Sequence, residues 1–154
     1  MNTDNLDSTK TAPTLKHSAV TDAIIGAFYE VYNEMGQGFL ESVYREAMAH
    51  VLSTRGFRVE REKAVTVSFR QRTVGVFRTD LLVNNAVIVE LKCARNLESA
   101  HEAQLLNYLK ATEFEVGLLL NFGNRPQIGG CFSITSANKP RRSTSESRAF
   151  MMWV

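Results

Sequence analysis

Asp80-Leu81-Leu82-Val83-Asn84-Asn85-Ala86-Val87-Ile88-Val89-Glu90-Leu91-Lys92 is the stretch on which the fold turns. Two apolar runs flank an asparagine pair, which predicts two strands joined by a tight turn. Three ionisable side chains nevertheless sit in segments apolar enough to be core. A buried carboxylate without a partner is costly, so Asp80 and Glu90 must be paired, hydrogen-bonded or bound to metal. Glu90 and Lys92 are two residues apart and project from one face of their strand. Asp80 joins them only in one register. A two-residue Asn84-Asn85 loop pairs Asp80 with Val89 and turns it away from Glu90. A three-residue loop, either Val83-Asn84-Asn85 or Asn84-Asn85-Ala86, puts all three groups on one side. Asparagine accepts the left-handed backbone that such loops need.

Two carboxylates and a lysine on adjacent strands are the materials of a divalent-cation site. Hard oxygen ligands suit Mg2+ or Mn2+, which keep several waters and accept a phosphate oxygen. The lysine can orient an attacking water or stabilise charge developing on a phosphate, which is the chemistry of phosphodiester hydrolysis. A strand-end ion pair with Asp80 as a turn carboxylate accounts for the same residues without any chemistry.

Outward from this stretch, apolar residues at helical spacing predict a helix over residues 17–35, with Val20, Ile24, Ala27, Phe28, Val31 and Met35 on its buried side. Gly36-Gln37-Gly38 stops it. A second helix is predicted over 39–55, with Leu40, Val43, Ala47 and Val51 as the buried stripe and Gly56 as the stop. Residues 57–69, 73–83 and 86–92 read as strands, 99–112 as a third helix, and 116–120 as a buried strand ending at Asn121-Phe122-Gly123. A hairpin meander followed by a helical crossover gives an α/β fold: a mixed sheet of about four strands with helices against it. Residues 1–15 are polar and read as disordered, 16–136 as one domain, and 137–154 as a basic, Ser-rich tail ending in the apolar Phe150-Met151-Met152-Trp153.

The chain has 154 residues, 44% of them hydrophobic, enough for one domain with a genuine core. Its net charge of +2 does not make it a general binder of polyanions. The charge is uneven, however: between residues 55 and 78 seven basic residues (Arg55, Arg58, Arg61, Lys63, Arg70, Arg72, Arg78) face two acids, Glu60 and Glu62. No segment approaches the ~20 apolar residues of a membrane span, so no membrane partner is expected. Cys93 and Cys131 form no C-x-x-C pair, and His17, His50 and His101 lack ligand spacing to them, which points to free thiols, a cytoplasmic setting and no zinc site. Nothing in the sequence addresses oligomeric state.

Further groups fall in line with the central stretch. Glu41 opens the second helix and Tyr44 lies one turn on, although a first-turn carboxylate also favours a helix by itself. Arg95, in the loop after the Glu90 strand, is placed to clamp a phosphate. His101, Gln104 and Tyr108 make a polar stripe on the third helix, suited to hydrogen-bond a phosphate or base edge, or equally a solvated face.

Gly38-Phe39-Leu40-Glu41-Ser42-Val43-Tyr44 resembles the motif of the GxxExxY family, a branch of the PD-(D/E)XK nuclease superfamily. Asp80 and Glu90-Leu91-Lys92 are similar to its central segment. His101 to Leu109 and Leu120-Asn121-Phe122-Gly123 resemble its later motifs, so the likeness covers about residues 18–125. It implies a restriction-endonuclease-like core with Glu41, Asp80 and Glu90 at a Mg2+ or Mn2+ ion and Lys92 as the catalytic lysine. It implies nucleic acid as substrate, with Tyr44, Arg95, His101, Gln104 and Tyr108 binding it; Gln104 and Tyr108 match a Q-x-x-x-Y element. The superfamily's proline is missing, since Thr79 precedes Asp80. A binding module that keeps this site without cleaving is the other function class that these residues allow.

Overall fold

The computed structural model describes residues 17–133. Along the chain lie α1 (Ser18–Met35), α2 (Glu41–Thr54), β1 (Val59–Arg61), β2 (Ala64–Phe69), β3 (Arg72–Arg78), β4 (Leu81–Val83), β5 (Val87–Lys92), α3 (Ser99–Ala111), β6 (Val116–Phe122) and β7 (Pro126–Ser133). The expected N-terminal segment and C-terminal tail lie outside the described residues, and no described helix is long and apolar enough to cross a membrane.

The asparagine turn takes the odd register. Val83 faces Val87, Leu82 faces Ile88 and Leu81 faces Val89, so the loop is Asn84-Asn85-Ala86. Asn84 and Asn85 both sit at positive φ, 52° and 50°, and the Ala86 N–H closes the turn on the Val83 carbonyl at 3.0 Å. Continued by one step, this register sets Asp80 opposite Glu90.

β1, β4, β5, β6 and β7 form one sheet in that order. β5 and β6 run parallel, joined by the α3 crossover, and the other neighbours run antiparallel. β6 is buried along its whole length, as a central parallel strand covered on both faces should be. The sequence reading foresaw about four strands; the additional one is β7, whose Gly129-Gly130 pair interrupts any strand pattern. Gly129 is there for packing: a Cβ on it would come within 2.8 Å of Leu97 and 2.7 Å of Leu119.

Period-two alternation divides the core. Leu81, Val83, Val87, Val89, Leu91, Val116, Leu118 and Leu120 pack against α1 and α2 through Ile24, Phe28, Met48 and Leu52. Leu82, Ile88 and Leu119 face the other way, against Leu105 and Leu109 of α3. Glu90 and Lys92 follow Ile88 at two-residue steps and so leave the sheet on the α3 side.

Two expectations need correction. The stretches 57–69 and 73–83 are not single strands of one sheet. They pair with each other in one register across the kink, since Val59 faces Val83 and Ala64 faces Arg78, with a shift by one only further out between Val67 and Ser68, but the ribbon bends between β1 and β2, and β2–β3 leaves as a separate two-stranded sheet. Glu62 takes φ 48° at the kink, a backbone state that costs a side-chain-bearing residue energy and marks a deliberate bend. The buried stripe of α2 is also turned by one residue. Tyr44, Met48, Ala49 and Leu52 are fully buried, whereas Leu40 is 75% and Val43 37% exposed. Tyr44 causes the rotation: its ring stacks on Phe122 at 4.1 Å, and its large aromatic surface takes the place in the core.

Candidate active site

Asp80 stands where the ribbon kinks. The β4–β5 ladder ends at Leu81 and Val89, and the Leu91 N–H is taken by Asp80 Oδ2 at 2.8 Å. The Asp80 carbonyl accepts the Glu62 N–H at 3.1 Å, and the Thr79 N–H donates to the Lys63 carbonyl at 3.0 Å. A proline at 79, as the superfamily pattern has it, would lack that donor. Thr79 therefore adds a bond at the base of the β2–β3 arm.

Glu90 is the most perturbed group of the site. Burial, and then the charge of Asp80 beside it, push its carboxyl up from the ordinary value to about 8, with Lys92 offsetting part of the rise. Glu90 Oε1 is buried without a hydrogen-bond partner. An orphaned buried acceptor between a carboxylate and a lysine is unusual in a core and common where a ligand is to be received. Glu41 comes from α2, whose buried residues lie on the opposite face, and reaches the same field across the end of the sheet. Its carboxyl is raised by burial and by Asp80, and lowered by Lys92 and Arg45.

The expected set of three coordinating carboxylates is not assembled: among the described residues no three His, Cys, Asp or Glu side chains stand where they could hold one ion. Asp80 is already engaged, Oδ2 by the Leu91 amide and Oδ1 by Arg45 Nη1 at 3.6 Å. Asp80 and Glu90 are the pair whose donors fit a hard cation, since magnesium is commonly held by one or two carboxylates, with water and substrate phosphate completing the shell.

The remaining candidates divide. Tyr44, expected at the substrate, is fully buried; its hydroxyl donates to the Gly36 carbonyl at 2.5 Å and accepts the Phe39 N–H at 3.3 Å. It has no surface to offer a ligand and instead fixes the loop that delivers Glu41. The His101 Nδ1 accepts the Glu98 N–H at 3.1 Å, closing the first turn of α3. Gln104 is exposed and donates to the Tyr108 hydroxyl at 2.9 Å. Tyr108 borders the carboxylates: burial and the charge of Glu90 raise its phenol, against the Gln104 bond that lowers it. Arg95 is exposed, on the rim of a cleft beside Cys93.

Two further residues belong to the site. Arg45, one turn after Glu41, bridges Asp80 and Glu62, the latter at 3.5 Å. The fully buried Asn121 accepts the Ala94 N–H and donates to the Ala94 carbonyl, both at 2.9 Å, holding the segment after Lys92 like an added strand rung. Its signal in the sequence was the one that singled out Asp80 and Glu90: a polar side chain in an otherwise apolar strand.

The geometry agrees with what a comparison of sequences finds. A model of the PD-(D/E)XK nuclease superfamily matches residues 18–130. The chain belongs to this superfamily. Its five-stranded mixed sheet flanked by three helices is consistent with the restriction-endonuclease-like fold. No curated protein matches the chain. A solved structure titled "Crystal structure of SSO0001" aligns with it at a TM-score of 0.44 and 18% identity, over 75% of this chain and 59% of that one.

Proposed function

We propose that this protein is a GxxExxY-type nuclease that hydrolyses phosphodiester bonds with the help of a divalent cation, Mg2+ or Mn2+. The observation that carries the proposal is Glu90: a half-buried carboxyl with one buried oxygen unpartnered and its pKa raised by burial and by Asp80, facing Asp80 and sharing its strand face with Lys92. A cation bound there would neutralise the two carboxylates, polarise the phosphate and acidify a water. Asp80 and Glu90 would hold it, with Glu41 contributing charge from α2. Lys92 would orient the nucleophile or stabilise the charge that develops on the phosphate. Tyr108 borders Glu90 on the α3 side, and with Gln104 bonded to its hydroxyl it would position substrate.

The test is magnesium-dependent cleavage of single-stranded DNA, duplex DNA and RNA by the wild type and by Lys92→Ala. Cleavage should disappear in Lys92→Ala while magnesium binding, read by calorimetry, remains, because both proposed ligands are intact. A wild type that binds nucleic acid yet cleaves none of these with magnesium or manganese would be a binding module instead.

A further inference from the structure

Next to the carboxylates the chain builds a cleft of about 350 Å³, within the size range of small-molecule sites. Three loops wall it: Gln37 and Phe39 between α1 and α2, Cys93 and Arg95 after β5, and Asn124 after β6, with Phe122 at its base. Its position is tied to the site at two points. Cys93 directly follows Lys92 and feels the charges of Glu41 and Asp80, and Phe39 stands two residues before Glu41.

The walls are stiff. Asn121 clamps Ala94 from both backbone groups, and the Tyr32 hydroxyl donates to the Gly123 carbonyl at 2.8 Å. Loop and strand approach so closely that a Cβ on Gly123 would lie 2.5 Å from the Ala94 carbonyl oxygen. Phe39 is held as well, with its ring at 85° to Tyr44 and its N–H on the Tyr44 hydroxyl, yet 48% of the residue is exposed. Leu40 and Val43 extend this apolar lip toward solvent.

The chemistry is selective. Among the described residues no acidic side chain lines the cleft and Arg95 is the one charged side chain there, while its polar side chains include the Gln37 and Asn124 amides. An aromatic ring fixed at the mouth, a guanidinium and two amides suit a nucleobase with its phosphate, because bases stack on aromatic rings and hydrogen-bond through their edges while arginine takes the backbone charge.

Resting on the nuclease function proposed above, we infer that this cleft is the subsite for an unstacked nucleobase adjoining the scissile phosphate, with Phe39 stacking on the base and Arg95 holding the phosphate. The preferred substrate is then single-stranded or frayed nucleic acid, since a base inside an intact duplex cannot enter.

The full-length protein would be titrated with a fluorescent single-stranded DNA oligonucleotide and with the same strand in a blunt duplex, in calcium to separate binding from cleavage. Phe39→Ala should weaken single-strand binding about ten-fold, the loss of one stacked base, and leave duplex binding unchanged; Phe39→Trp should restore it. A single abasic nucleotide walked along the strand should reproduce the loss at one position in the wild type and add nothing in Phe39→Ala. That walk needs no folded variant, so it decides the matter even if Phe39→Ala is unstable. Equal single-strand affinity of Phe39→Ala and wild type, no position-specific abasic effect, or no oligonucleotide binding at all overturns the subsite. Phe39-dependent binding without cleavage in magnesium would uphold the subsite and remove the nuclease, whereas cleavage indifferent to Phe39 would do the reverse.

Discussion

At the scale of single residues, the raised pKa of Glu90 gives the candidate site an expected dependence on pH. Its pKa is raised in the folded state, so the native protein holds this proton more tightly than the unfolded chain does. The associated stability is fully present below the ordinary glutamate value of 4.5 and is lost as pH rises through about 8. Glu41 acts with the same sign. The Glu90 contribution has a ceiling of ~5 kcal/mol across that window, reduced wherever water reaches the carboxyl. The metal-free melting temperature should therefore fall between pH 5 and about 8, and Glu90→Gln, which stays neutral, should flatten the fall. On the proposed function a divalent cation would bind the ionised form, so its affinity should rise over the same range and binding should release a proton. Melting curves at several pH values with and without magnesium check both. A metal-free protein whose stability climbs through this window, or a melting temperature indifferent to magnesium and manganese throughout, would contradict the site. Substituting Asp80 by Ala should be worse than losing a ligand, because it also strips the Leu91 N–H of its acceptor and Arg45 of one of its carboxylate partners.

At the scale of elements, what the sequence showed and what it hid have physical reasons. The asparagine pair signalled a turn of left-handed residues, so the register that sets Asp80 opposite Glu90 was one of the two that the sequence offered; the apolar runs on each side are buried on both faces and do not choose between them. The kink was not legible: β1 and β2 have the composition of one strand, and only the Glu62 backbone and the Asp80 side chain's turn toward Leu91 separate them. On α2 two candidate stripes one residue apart are both apolar, and helical spacing alone does not rank them. The Tyr44 ring does, by stacking on Phe122. Gln104 and Tyr108 were correctly seen as neighbours on α3, whereas His101 proved engaged at the helix start. Asn121 offers the clearest test at this scale. Asn121→Ala leaves the Ala94 N–H and carbonyl without their partner, a loss of about 1–3 kcal/mol per buried group. Since Ala94 follows Lys92 and Cys93, cleavage should drop further than stability alone explains, measured below the melting range of the variant. A variant that loses stability yet keeps full kcat would show that the segment after Lys92 needs no such clamp.

At the scale of the whole molecule, the β2–β3 arm is the part that sets this chain apart from a bare sheet with helices on both faces. It departs from the sheet at Asp80 and folds onto α3, where Phe77 stacks on Tyr108 at 3.7 Å with the rings nearly parallel, and Val65 joins the Leu105–Leu109 cluster. The arm thus lies beside the carboxylates rather than away from them. Between residues 63 and 78 it carries Lys63, Arg70, Arg72 and Arg78 and no acid. Lys63 is paired with Glu60, and Arg78 donates to the Glu62 carbonyl, so both belong to the base of the arm. Arg70 and Arg72 stand at its tip, Arg70 over the Phe69 ring at 5.1 Å, and among the described residues neither has an acidic partner. A molecule of net charge only +2 gains little from its overall field, so on the proposed function phosphate contacts would come from such local clusters. Replacing both tip arginines with alanine should lower the slope of log binding constant against log salt by about 2, roughly one for each phosphate that an arginine no longer neutralises. The kcat at saturating substrate should stay near wild type, because neither residue reaches the carboxylates. Lys92→Ala should do the opposite, abolishing turnover while keeping the salt slope. If the double variant binds with the wild-type slope, the arm does not track the phosphate backbone, and its exposed Val74 and Val76 must serve some contact other than nucleic acid.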